Sequence, residues 1–160
     1  MASHRELTKN CLAFEERADQ IVAEYDKRKD LPAKSPYDSA LGGFKRQSYD
    51  MLRKYISRPG GHKIIKSVIK RVGTEPVRLS YKGNEFYFGL VAIDPHQDIL
   101  DKRRLELFAK QLKYADLHEV PGHLLVGFLY QSGSAARLRA KLNSNHREPW
   151  LGAQSTRSFD

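Results

Sequence analysis

The sequence predicts an α+β fold: a helical N-terminal half packed beside a small mixed sheet of about three strands, with a crossover helix on one face. Three observations predict it. Apolar residues recur at helical spacing through the first 72 positions. Two short, almost wholly apolar runs follow, EFYFGLVAI at 85–93 and LLVGFLY at 124–130, each with the length of a buried strand. The segment between those runs returns to a helical period.

The 160 residues divide into one predicted domain over 1–142 and an irregular polar tail over 143–160. The domain has a helical part (4–72), a ββαβ part (77–130) and a closing helix (135–142). A chain of this length buries roughly 70% of its unfolded surface and needs no staples. With 40% apolar and 29% charged residues it is not a wholly disordered chain. It has no internal repeat and no low-complexity block.

The first helix opens at Ser3, a predicted N-cap, with Glu6 three residues on as in a capping box. Leu7, Cys11, Phe14, Ala18, Ile21 and Tyr25 follow in alternating steps of four and three, which is a heptad seam. The seam is expected to pack on the chain's own second helix; the alternative is a homodimer through this helix. Leu31-Pro32 stops it. Residues 31–43 read as a loop ended by Leu41-Gly42-Gly43.

In the second helix Phe44, Tyr49, Leu52, Tyr55 and Ile56 are expected inside, leaving Arg46, Arg53, Lys54 and Arg58 near solvent. Pro59-Gly60-Gly61 separates it from the third. There Ile65, Val68, Ile69 and Val72 share one face. Lys63, Lys66 and Lys70 fall within about 60° of one another on the opposite face. Gly73 is the predicted C-cap.

Val77 to Tyr81 alternates like a half-buried strand, and Lys82-Gly83-Asn84 signals a turn. Glu85 to Ile93 then reads as the central strand of a hairpin, ended by Pro95. A helix from Asp98 to Tyr114 turns Leu105, Phe108, Ala109 and Leu112 inward. Pro121-Gly122-His123 leads to the third strand, Leu124 to Tyr130, by a right-handed crossover. Ser132 or Ser134 caps the last helix, Ala135 to Leu142, and Trp150 is expected to anchor the tail.

The net charge is +9, and residues 45–71 hold 9 basic side chains against 1 acidic. Charge this concentrated makes a local field for polyanions. The predicted function is therefore non-catalytic nucleic-acid binding through a basic helical surface. Lys63, Lys66 and Lys70 would meet phosphates, Arg53, Lys54 and Arg58 would extend the surface, and Arg137, Arg139 and Lys141 would add a second patch. Duplex DNA is preferred over RNA as the partner. The alternative is a protein-interaction module, an inhibitor or adaptor whose basic face meets an acidic protein surface.

A single cysteine, Cys11, sits in the heptad seam and reads as core. With no signal peptide and no long apolar run, the expectation is a cytoplasmic protein that does not enter a membrane.

No cofactor is predicted. His118-Glu119-Val120-Pro121-Gly122-His123 falls short of the zinc motif H-E-x-x-H, because its histidines are five apart and Pro-Gly lies between them. A loop-built metal site would have to add His96. A ribonuclease would pair His62, beside Lys63, with His96, His118, His123 or His146. The order helix, hairpin, helix, strand over roughly residues 60–130 partly resembles the core of the PD-(D/E)xK nucleases. That resemblance would use Glu75, Glu85 and Asp94, with Lys82 as the lysine, but the hairpin lacks an E-x-K.

Overall fold

The computed structural model describes residues 3–73 and 84–148. Among them there is no strand, and seven α-helices make the fold. The α+β prediction is therefore corrected to all-α. The predicted strand Val77 to Tyr81, the turn at Lys82-Gly83 and the Trp150 anchor lie outside the described residues.

Helix α1, His4–Arg28, begins as expected, with Ser3 Oγ accepting from the Glu6 amide at 3.2 Å. Its seam residues Cys11, Phe14, Ala18 and Ile21 are buried against α2 (Ala40–Ser57) and α3 (Gly61–Val72). Phe14 meets the Tyr55 ring edge-on at 4.9 Å. These four seam residues pack within the chain, while Leu7 and Tyr25 at the seam's two ends are half-buried.

Helix α2 starts earlier than its sequence suggests. Gly42 and Gly43 lie in its first turn, because Ser39 Oγ caps it by accepting from the Gly42 amide at 2.9 Å. The α2–α3 corner is tight. Gly60 has φ +78°, a left-handed conformation that glycine adopts without strain. A Cβ at Gly61 would lie 1.6 Å from the Tyr55 carbonyl oxygen, so only glycine lets α3 start this close to α2. Gly73 ends α3 as predicted, donating its amide to Ile69 and Lys70 carbonyls.

The two predicted strands are helices. Helix α4 is Glu85–Ile93, with Asn84 Oδ1 accepting from the Phe86 amide at 3.1 Å. It packs on α1, α2, α3 and α5 (Lys102–Leu117) and buries Phe86, Tyr87, Leu90, Ala92 and Ile93. A helix surrounded by helices shows no polar face, so its sequence loses the 3.6-residue period. A nine-residue apolar run then looks the same as a buried strand. Leu52 closes on α4 at Gly89, where a Cβ would meet Leu52 Cδ2 at 2.4 Å. The third predicted strand is helix α6, Leu125–Ser132, entered through a 3-10 turn at Gly122–Leu124. It packs on α2 and α5 and buries Leu125, Phe128 and Leu129.

Asp94 turns the chain from α4 towards α5. Its carboxylate accepts from the amides of Asp98, Ile99 and Leu100 at 3.1, 3.0 and 2.8 Å. Asp101 caps α5 by accepting from the Arg104 amide at 2.8 Å. Helix α7, Ala135–Asn143, is capped by Ser134 and packs on α5 through Leu138. No helix among the described residues is long and apolar enough to cross a membrane.

Candidate nucleic-acid interface

Helix α3 separates apolar from cationic side chains most completely. Ile64, Ile65, Val68 and Ile69 are buried, while His62, Lys63, Lys66 and Lys70 are exposed. Among the described residues the three lysines have no acidic partner. Arg71, next in sequence, does: its Nε lies 3.0 Å from Glu15 Oε1 on α1.

The stripe is unfavourable for the free helix. Lys63–Lys66 and Lys66–Lys70 are like-charged at i,i+3 and i,i+4, each repelling by about 0.2–0.5 kcal/mol. Lys63 also sits in the first turn of α3, the positive end of the helix dipole, where a carboxylate would stabilise. Only Lys70, in the last turn, gains from the dipole. Lys63 and Lys70 are about 10 Å apart along the axis, comparable to three phosphate-to-phosphate steps at roughly 3.4 Å axial rise per strand.

The other predicted contacts divide. Lys54 and Arg58 are exposed at the end of α2, beside the corner that starts α3. Arg58 lies over the Tyr55 ring, 4.3 Å from its centroid. Arg53 is occupied within the fold. Its Nε meets Asp116 Oδ1 at 3.0 Å, its Nη1 donates to the Val120 carbonyl at 2.9 Å, and it stacks over Tyr49. Tyr49 donates to that same carbonyl at 2.8 Å. These contacts tie α2 to the corner after α5.

Arg137 and Arg139 are exposed on α7, whereas Lys141 is turned inward. Its Nζ donates to the Ser132 carbonyl at 2.8 Å and pairs with Glu148. Glu148 also accepts from the Tyr114 hydroxyl at 3.0 Å. Burial alone would raise the Glu148 carboxyl, but hydrogen bonds from Lys141 and Tyr114 outweigh it and hold the group below the ordinary 4.5. The Tyr114 hydroxyl is pushed up by burial and by Glu148.

A further basic cluster stands outside the predicted contact set. Lys102, Arg103 and Arg104 are all exposed in the first turn of α5, again at a positive helix end. Its signal was three consecutive basic residues directly after the Asp101 cap.

No aromatic platform accompanies these cations on α2. Tyr49 is fully buried, and Tyr55 is covered by Phe14 and Arg58. The surface has means to hold phosphates and none on α2 to stack bases.

Of the groups considered for catalysis, His118 and Asp94 are engaged within the fold. His118 is buried, with Nδ1 2.8 Å from the Tyr114 carbonyl and Nε2 accepting from the Glu148 amide at 2.7 Å. Donating at Nδ1 while accepting at Nε2 makes it a neutral, fully engaged imidazole. His123 and His96 are exposed, and no three His, Cys, Asp or Glu come together among the described residues. Asp94 holds its loop, and α4 and α6 remove the element order on which the nuclease resemblance rested. Glu75 and Lys82 lie outside the described residues. Cys11 is core, its thiol raised by burial.

No family model, no curated protein and no solved structure matches this chain.

Proposed function

We propose that this protein binds nucleic acid through its phosphate backbone, with Lys63, Lys66 and Lys70 on α3 as the central contacts. Lys54 and Arg58 extend the surface across the α2–α3 corner, and Arg137 and Arg139 are its candidate second patch. The observation that carries the reading is the stripe itself: three exposed lysines with no acidic partner among the described residues, which repel one another, one of them at the unfavourable end of its helix. Arg53 and Lys141 leave the contact set, since both are bonded inside the fold. The contacts named here are to phosphates, which position a nucleic acid without reading its bases. Duplex DNA is the preferred partner, and the compartment is the cytoplasm, where a lone buried thiol stays reduced.

The test is a salt titration with labelled duplex DNA, single-stranded DNA and RNA. Five contacts imply a log–log slope near −4.5 for duplex DNA. A slope near zero, or no binding below physiological salt, would remove the proposal.

A second reading, a protein-interaction module, is favoured by a different surface. Tyr130 is 81% exposed, and Leu124 and Tyr37 are 44% exposed, around one groove beside α6. Exposed apolar side chains gathered in this way mark protein contacts. That reading predicts a co-purifying protein retained in high salt, where phosphate contacts are screened.

A further inference from the structure

A separate cavity of about 370 Å³ lies between the start of α2, α5 and α6. Ser39, Leu41, Lys45, Gln111, Val126 and Tyr130 are on its walls. The volume falls within the range of small-molecule sites. Leu41, Val126 and Leu129 make most of its side-chain surface apolar.

Two polar groups in it have unmet needs. Lys45 Nζ lies 4.1 Å from the centroid of the Phe108 ring, and among the described residues it has no carboxylate and no hydrogen-bond acceptor. A partly buried ammonium without a counter-ion is an expensive arrangement that an anion relieves. Gln111 Oε1 is shut off from water and has no donor among the described residues. Rotation about its broad terminal torsion turns either end of the amide to the cavity. Tyr130 is the other titratable side chain on the wall.

We propose that this cavity binds a small organic oxyanion with an apolar body, its carboxylate or phosphate on Lys45 and a donor group on Gln111. The apolar walls take the body, and the Phe108 ring holds the ammonium in place. This site is independent of the lysine stripe and stands whether or not the protein binds nucleic acid.

Burial holds the Lys45 ammonium down to about 8, so it titrates apart from surface lysines. An anion binds only the protonated form and must raise that midpoint. The experiment is NMR titration of the side-chain signals of isotopically labelled lysine in the full chain, with Lys45→Gln assigning the resonance and Lys45→Met as a second assignment variant. Probes are benzoate, phenyl phosphate and neutral benzyl alcohol. Benzoate or phenyl phosphate at tenfold its dissociation constant should raise the midpoint by about one unit, since one unit is tenfold in affinity. Benzyl alcohol should not raise it. A response to one anion names the source of the oxyanion, carboxylate or phosphate. The proposal is overturned if Lys45 titrates with the surface lysines. It is equally overturned if neither anion moves its midpoint up to roughly 10 mM, the weak end of specific binding, or if benzyl alcohol moves it as much.

Discussion

Two basic regions of this molecule use the same residue types in opposite ways. On α3, Lys63, Lys66 and Lys70 point to solvent and find no acid among the described residues. At the α7 corner, Lys141 turns inward and meets Glu148 and the Ser132 carbonyl, while the Tyr114 hydroxyl donates to the same Glu148 carboxylate. The difference follows from what lies within reach. Residues 45–71 contain one carboxylate, Asp50, and the acid that α1 brings to α3, Glu15, pairs with Arg71. The corner receives Glu148 from a segment that lies back on α5, where Arg147 Nη1 donates to the Leu117 carbonyl at 2.8 Å. A cation with a nearby carboxylate becomes part of the fold; a row of cations without one stays available to an external anion. The corner should therefore govern stability and the stripe should govern binding.

The sharpest way to break this comparison is Glu148→Gln. It leaves Lys141 partly buried beside the Ser132 carbonyl and deprives the Tyr114 hydroxyl of its charged acceptor. The expected loss is about 2–3 kcal/mol, below the figure for a fully buried pair because both side chains keep some exposure. For a domain of this size that lowers Tm by roughly 4–12 °C. Nucleic-acid affinity at a temperature where the variant is folded should not change. Acid sharpens the same point. A carboxyl depressed in the folded state contributes stability in full above its unfolded value, near 4.5, and loses it as pH falls through the folded value. Wild type and Glu148→Gln should converge in stability below that window. A difference that persists there would mean the carboxylate is not what the corner relies on.

Lys63, Lys66 and Lys70 replaced together by Ala should show the reverse pattern. The salt slope should fall by about 2.7, three contacts at 0.9 each. Stability should hold or rise by a few tenths of a kcal/mol, because two repulsions vanish and Ala is the better helix former. A large fall in Tm with an unchanged slope would assign the stripe to the fold.

The two regions also differ in how far the sequence exposes them. The α3 stripe and the α1 seam are legible because each is a local period within one helix, and Ser3 and Gly73 mark their ends by local hydrogen bonds. The α7 corner is not legible, since Tyr114 and Glu148 are 34 residues apart and nothing local links them. Arg53 read as a surface cation for the same reason: its partners Asp116 and Val120 lie 63 and 67 residues away. Helices α4 and α6 look like strands for two different reasons. Burial on nearly all sides of α4 removes the polar face that carries the period, and Glu85 to Ile93 then fits a strand as well as a helix. Helix α6 exposes Tyr130, but the run Leu124 to Tyr130 is apolar throughout and too short to show a period. The start of α2 was hidden because Gly42 and Gly43 resemble a loop, while the cap that overrides them is Ser39.

Helix α7 holds the finest version of the comparison, because both behaviours occur on it within four residues. Arg137 and Arg139 are exposed, and Lys141 is tied to the corner. Lys141→Ala should lower stability by about 1–2 kcal/mol, since Glu148 loses its cation while keeping Tyr114. Arg139→Ala should leave stability within about 0.5 kcal/mol, as for an ordinary surface change. Its effect on binding decides the extent of the interface. If α7 lies along the nucleic acid with α3, Arg139→Ala lowers the salt slope by about 0.9, and the loss adds to that of the α3 triple variant because distant sites act independently. If the slope does not move for Arg137→Ala or Arg139→Ala, the interface ends with α3 and the α2 corner. The exposed arginines of α7 would then be solvated charges, unpaired like the stripe but without its concentration.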